Sequence, residues 1–281
     1  MPLSQALKDL GKTVVAFDIS RNSKDDLLDD RRFEQLLKLC ASGIVAYGCA
    51  SPCCSQYSRL KLRQDNGPRA LRTPEHLAGV PDLTPAELEK VQTSATMLHR
   101  CVTCLQLIFL AGGHVHLEQP TNAMSWSEDF VQMFLKLISA RCISIAACAF
   151  GADWRKSSMY ASSYPKLTAL ASQCSHGPHA HEAIHGLSES TRLFKSRATA
   201  RYPPALASAF ADLVRDLLSD ASGDLSLDQA VTLIPSKPRD SPPFGSEDGG
   251  GLPSVPDWSM ANRIPCGFEQ NIPTQVTFSS L

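Results

Sequence analysis

Two adjacent cysteines stand where a reacting group would stand. Cys53 and Cys54 follow the apolar run 44–50 and lie in the stretch Ser51-Pro52-Cys53-Cys54-Ser55-Gln56-Tyr57-Ser58. An apolar run bounded by turn residues reads as a buried parallel strand. Ligands of open α/β sheets bind just past the carboxyl ends of such strands. A thiolate is the strongest nucleophile among side chains, and a loop at a strand end can expose it. Two acidic residues end apolar runs in the same manner, Asp18 after 13–17 (TVVAF) and Glu118 after 114–117 (HVHL). A carboxylate ending an early strand can accept from both hydroxyls of a ribose. A carboxyl beside a thiol can move a proton to or from a reacting group.

The elements that must position these residues alternate between helix and strand. Residues 13–17 read as a short strand ending at Asp18. A helix is expected from Asp30 to Cys40, with Phe33, Leu36, Leu37 and Cys40 on one face and Gly43 stopping it. The strand 44–50 follows, an αβ unit of the kind that builds parallel sheets. Residues 63–83 read as a loop. Thr84-Pro85-Ala86-Glu87 is a capping box with Pro at the first helical position. The helix it starts carries Leu88, Val91, Ala95, Leu98, Val102, Leu105 and Phe109 at alternating spacings of three and four, and Gly112-Gly113 ends it. That seven-residue pattern suits a coiled coil or a helix buried on a sheet. The strand directly behind it favours the sheet. Further expectations are a helix over 126–138, strands over 143–150 and 157–162 joined as a hairpin, and a last helix from Pro203-Pro204. The fold class expected is therefore α/β, with a mostly parallel sheet and an antiparallel hairpin.

Composition bounds the rest. The chain has 281 residues, 43% of them hydrophobic, and a net charge of −1. No global basic field announces nucleic acid. The first residues are polar and of mixed charge, with no apolar signal core, and no apolar stretch is long enough to span a bilayer. No membrane association is expected. The ten cysteines are irregularly spaced, which favours free thiols and an intracellular protein, nuclear or cytoplasmic. From residue 221 the composition shifts: Pro and Gly supply 14 of the last 61 residues. The expected division is a folded domain over 1–220 and a disordered tail over 221–281.

The order and spacing of these features resemble the catalytic domain of the DNA cytosine-5 methyltransferases. That family carries Pro-Cys-Gln-x-x-Ser after one strand, Glu-Asn-Val after the next, and Gln-x-Arg-x-Arg in the hairpin that follows. Here Ser58 stands four residues after Cys54, Glu118-Gln119-Pro120 occupies the place of Glu-Asn-Val, and residues 151–156, with Arg155 and Lys156, occupy that of the hairpin. The stretch 200–207 (ARYPPALA) is similar to the family's last motif, and the run 118–126 (EQPTNAMSW) is similar to segments of dinoflagellate and retroelement-like reading frames. The resemblance spans residues 13–219. It implies a Rossmann-like methyltransferase sheet, S-adenosylmethionine as cofactor and cytosine in DNA or RNA as substrate.

By that resemblance Cys54 is the nucleophile that adds to C6 of a flipped cytosine, with Cys53 as the other candidate, and Glu118 is the partner of N3. Arg155 and Lys156 complete the catalytic side. Asp18, Ile19, Asp26, Leu27, Leu28 and Pro52 fall where the family contacts its cofactor. Several positions depart from the pattern. The glycine-rich first motif is missing, so the chain starts at the counterpart of the second strand, an N-terminally truncated sheet. Weak or lost cofactor binding follows, because the methionine end lacks the backbone amides of a glycine-rich turn. The alternative function is an inactive remnant of the fold, derived from a mobile element and acting as a binding module or without a role.

Three other groups invite chemistry. Cys174, His176, His179 and His181 bring four zinc-ligating side chains together, but their spacing matches no standard finger. The expectation is a solvent-exposed His-rich loop without metal. Cys101 and Cys104 have redox spacing inside a long helix, away from the helix N-terminus that such a motif needs, and read as core thiols. His114 and His116 alternate with Val115 and Leu117 and read as structural.

Overall fold

The computed structural model describes residues 2–19, 22–63, 68–177, 181–182, 195, 199 and 202–220. Among the described residues nine helices and strands carry the fold: α1 (Pro2–Asp9), α2 (Asp30–Ala41), β1 (Tyr47–Ala50), α3 (Pro85–Leu110), β2 (His114–Pro120), α4 (Asp129–Leu137), β3 (Arg141–Ala146), β4 (Ser157–Ser162) and α5 (Pro204–Asp220). The four strands form one open sheet in the order β1-β2-β4-β3. β1 runs parallel to β2, and β4 lies antiparallel between β2 and β3. So β1, β2 and β3 share one direction and β4 alone is reversed. The carboxyl ends of the first three strands and the start of β4 share one edge of the sheet.

The period-two alternation of the strands divides the core into two layers. Val115 and Leu117 of β2 and Ala161 of β4 meet α2, α3 and α4, through residues such as Cys40, Leu98, Val102, Leu105, Val131 and Phe134. Ile143 and Ile145 of β3 and Tyr160 of β4 meet Leu3 of α1 and Leu206, Phe210 and Ala211 of α5 on the other face. Helix α3 begins at the expected box. The Thr84 hydroxyl accepts from the Glu87 amide (3.3 Å), and the Glu87 carboxylate accepts from the Thr84 amide (3.0 Å). It packs on β1 and β2 as well as on α2 and α4. Gly113 follows it at a close crossing, where a Cβ would meet the Val45 carbonyl and Ile108.

The hairpin of β3 and β4 forms as expected, with Ile143 opposite Tyr160 and Ile145 opposite Ser158. Other expectations need correction. Residues 13–17 are not a strand; they run irregularly, with Val15 51% exposed. A strand exists through backbone pairing with a neighbour, and this segment has none in the sheet. Asp18 therefore ends no strand. β1 and β3 are shorter than expected, and 147–150 form a 3-10 turn closed by Gly151 at φ 83°. The helix expected over 126–138 is a 3-10 turn, Met124–Ser127, followed by α4. Helix α1 was not expected; Leu3 is its buried anchor, and Ala6 and Leu7 pack beside it. The expected tail, 221–281, lies outside the described residues. No helix among the described residues is long and apolar enough to cross a membrane.

Candidate functional site

The Pro-Cys loop leaves β1 at the carboxyl edge and is held from several sides. Pro52 cannot donate a backbone hydrogen bond, which ends the pairing of the strand. It is buried, and its carbonyl accepts from the side-chain amide of Gln119 at 2.7 Å. The Gln119 carbonyl oxygen in turn accepts from the Ser125 hydroxyl at 3.1 Å. Gln119 thus ties the end of β2 to the loop. The Tyr57 amide donates to the Cys54 carbonyl (2.9 Å), closing the turn around Cys54. Ser58 caps the next turn by accepting from the Leu60 amide at 3.3 Å. On the outer side the Ser51 hydroxyl pairs with the Tyr202 hydroxyl at 2.8 Å, and the Tyr202 ring stacks on Phe210 of α5.

The platform beneath the loop is a group that the sequence pattern did not single out. Arg72 is 1% exposed and lies 4.1 Å over the Tyr57 ring. Its guanidinium donates to the carbonyls of Leu77 and Val91, to the Ser94 hydroxyl and to the Glu128 carboxylate. Tyr57 itself accepts from the Met124 amide at 2.8 Å. A buried arginine inside a stretch that reads as a loop has no sequence signature. Its role depends on carbonyls contributed by α3 and by residue 77.

Three of the expected site residues act on one another. Cys54 is half-buried, whereas Cys53 is exposed, with its thiol directed to the Ser55 hydroxyl at 3.4 Å. Burial pushes the Cys54 thiol up to about 11; the Lys156 ammonium opposes this, and the Glu118 carboxylate reinforces it. Glu118 is buried at 8% exposure and sits opposite Tyr160 in the register. Burial, with the Glu118 charge added, holds the Tyr160 and Tyr202 phenols well above the ordinary tyrosine range, so both stay protonated donors. Lys156 directly precedes β4, donates to the Thr199 carbonyl at 3.1 Å, and its own carbonyl accepts from the Ala147 amide. Arg155 beside it is exposed. A thiol therefore lies within the electrostatic reach of a cation and a buried carboxylate at this edge of the sheet, a set able to add sulfur to an electron-poor carbon and move a proton.

The expected cofactor side is built differently. The Asp26 carboxylate accepts from the Leu28 amide at 2.9 Å, in its own turn. The Leu27 carbonyl accepts from Arg100 at 2.7 Å, and Arg100 also pairs with Asp30, so this segment is clamped onto α3. Ile19 is 60% exposed, and Asp18 sits in the irregular stretch before it. Asp26 thus caps its own turn, and Asp18 does not end a paired strand.

The remaining groups resolve individually. Cys101 and Cys104 are buried in α3, and burial pushes Cys101 up to about 12. His116 is fully buried, bonded to the Tyr47 hydroxyl at 2.8 Å and stacked on Phe210. Cys174, His176 and His181 lie together with Cys148, which no spacing rule had linked to them. His179 lies outside the described residues.

No family model matches the chain, and no curated protein or solved structure shows a significant match to it.

Proposed function

We propose that this chain is a cytosine-5 methyltransferase-like domain that retains the base-facing half of the site and not the cofactor-facing half. The observation that carries the reading is the Cys54 thiol within the electrostatic reach of both Lys156 and Glu118, in the loop past the carboxyl end of β1, which runs parallel to β2. The sheet supports it as well: three strands run one way, and a hairpin returns the fourth between them. In the reaction that this set suits, the sulfur of Cys54 bonds to C6 of an extruded pyrimidine. The thiol proton passes to the Glu118 carboxylate, and N3 takes up that proton as the sulfur–carbon bond forms. Lys156 favours the thiolate that must form first.

The irregular course of 13–17 and the engaged carboxylate of Asp26 favour a second reading in which no methyl group is transferred. The domain then engages a base without completing the reaction. S-adenosylmethionine is the cofactor of the first reading, and it is expected to bind weakly or not at all.

One experiment separates thiol addition from cofactor use. The full chain is incubated with single-stranded DNA or RNA in which one cytosine is replaced by a pyrimidinone lacking the exocyclic amine, an acceptor that traps thiols without a methyl donor. A covalent adduct on Cys54, abolished by Cys54→Ser and retained in Cys53→Ser, is the expected result. Absence of any adduct, or an adduct that survives Cys54→Ser, refutes the proposal. Calorimetry with S-adenosylmethionine tests the cofactor side, where micromolar binding contradicts the arrangement described.

A further inference from the structure

At the far end of the same sheet edge, four side chains from two separate stretches converge. Cys148 comes from the 3-10 turn after β3. Cys174, His176 and His181 come from the segment that follows β4. One ligand atom from each lies within 4.8 Å of all the others. The Cys174 sulfur is 3.7 Å from Nδ1 of His176 and 3.4 Å from Nε2 of His181. The two imidazole rings stand edge to face at 5.1 Å. Zinc held by two sulfurs at about 2.3 Å and two nitrogens at about 2.0 Å needs ligand-to-ligand edges of roughly 3.3–3.8 Å in a tetrahedron. No edge of the cluster exceeds 4.8 Å, so each ligand needs to move by no more than about 1.5 Å to reach that shape.

Backbone contacts bring these side chains together independently of any ion. The Ser172 amide donates to the Ser144 carbonyl at 3.0 Å, and the Ser172 carbonyl accepts from the Ala146 amide at 3.1 Å. This lays 172 along the outer edge of β3, two residues before Cys174 and beside the strand that delivers Cys148. The Glu182 amide donates to the Asp153 carbonyl at 2.9 Å, in a bridge between Trp154 and Glu182. That contact sets His181 beside the hairpin turn. Both flanks of the returning segment are therefore anchored to the hairpin, and the ligands lie between the anchors.

We infer that Cys148, Cys174, His176 and His181 form a tetrahedral zinc site that fastens the segment after β4 to the β3–β4 hairpin. Two thiolates and two imidazoles select zinc over calcium or magnesium, which prefer oxygen. A set of four protein ligands leaves no open position, so the role is structural rather than catalytic. Binding releases the two thiol protons, and affinity falls as pH drops. The hairpin also carries Arg155 and Lys156, so the ion fixes the base of the turn that carries the Lys156 charge acting on Cys54. The inference stands on the four ligands alone and does not depend on the methyltransferase-like reading.

The test uses the full chain, purified under reducing conditions and passed through gel filtration before metal analysis. One zinc per chain is expected. After chelation, cobalt(II) should restore one equivalent, with the intense visible bands of a tetrahedral thiolate site. Cys148→Ser and Cys174→Ser should each weaken zinc binding at least about a hundredfold, beyond the tenfold to hundredfold typical of losing a group that only supports a ligand. Cys53→Ser with Cys54→Ser should leave the stoichiometry at one. No bound zinc in the wild-type chain overturns the proposal, as does an octahedral cobalt spectrum or metal retained in the Cys148→Ser, Cys174→Ser double variant. A Cys148–Cys174 disulfide in freshly prepared unreduced protein, with no metal taken up after reduction, overturns it too. The wild-type stoichiometry and cobalt spectrum decide the matter even where a variant fails to fold.

Discussion

The protonation of Cys54 can be read by how fast it alkylates. With its thiol pushed up to about 11, the thiolate fraction near pH 8 is roughly one in a thousand, against about a quarter for an ordinary thiol of ~8.5. A thiolate of higher pKa is the better nucleophile, and a Brønsted slope of ~0.4–0.5 recovers about tenfold of that loss. Cys54 should therefore react with iodoacetamide roughly 20-fold more slowly than a free thiol near pH 8. Its rate should climb about tenfold per pH unit beyond the point where an ordinary thiol levels off. Removing either neighbouring charge has an effect of definite sign. Glu118→Gln removes a repelling charge and speeds the reaction, and Lys156→Met removes an attracting one and slows it, each by roughly two- to tenfold. The assay follows the Cys54 adduct by tandem mass spectrometry across pH in a Cys53→Ser background. A plateau near pH 8.5, or a Glu118→Gln variant that reacts more slowly, would falsify the electrostatic account of the site.

Three further outcomes test the scaffold. Arg72→Met strips the buried platform packed on Tyr57 and takes the guanidinium donor away from the carbonyls of Leu77 and Val91 and from the Glu128 carboxylate. Urea unfolding should show a loss of roughly 3 kcal/mol, with Arg72→Lys unable to restore it because the ammonium lacks the planar fork; a change below half a kcal/mol would show that the platform is dispensable. Gly113→Ala forces a Cβ against the Val45 carbonyl and should cost about 1–3 kcal/mol in the same assay, and an unchanged midpoint would contradict the close crossing. Burial holds His116 down at about 3, below its ordinary value of ~6.5. The unfolded chain therefore takes up that proton first, so the stability that His116 contributes is present above about pH 6.5 and drains as pH falls toward 3, by about 1.4 kcal/mol per pH unit. His116→Phe should flatten stability between about pH 6.5 and 4.5, and parallel slopes for the two proteins would count against a neutral buried imidazole.

Much of this protein follows from local chemistry in the chain. The Thr84 box starts α3 because its four residues satisfy one another's backbone groups without outside help. The hairpin of β3 and β4 is legible because a short turn, 151–156, separates the two stretches. Cys54 and Glu118 could be assigned to one edge because parallel strands place their carboxyl ends together. The tertiary structure decided the rest, where the deciding partner is remote in sequence. Residues 13–17 have the composition of a strand and pair with no strand among the described residues. Helix α1 holds through Leu3 in a core built from β3, β4 and α5. Arg72 is buried because carbonyls of α3 and a turn converge on its fork. Cys148 joins Cys174, His176 and His181 only because Ser172 and Glu182 bond back onto the hairpin. Spacing rules see ligands on one stretch of chain, whereas a site closed across 26 residues by strand-edge hydrogen bonds exists only once the sheet has formed.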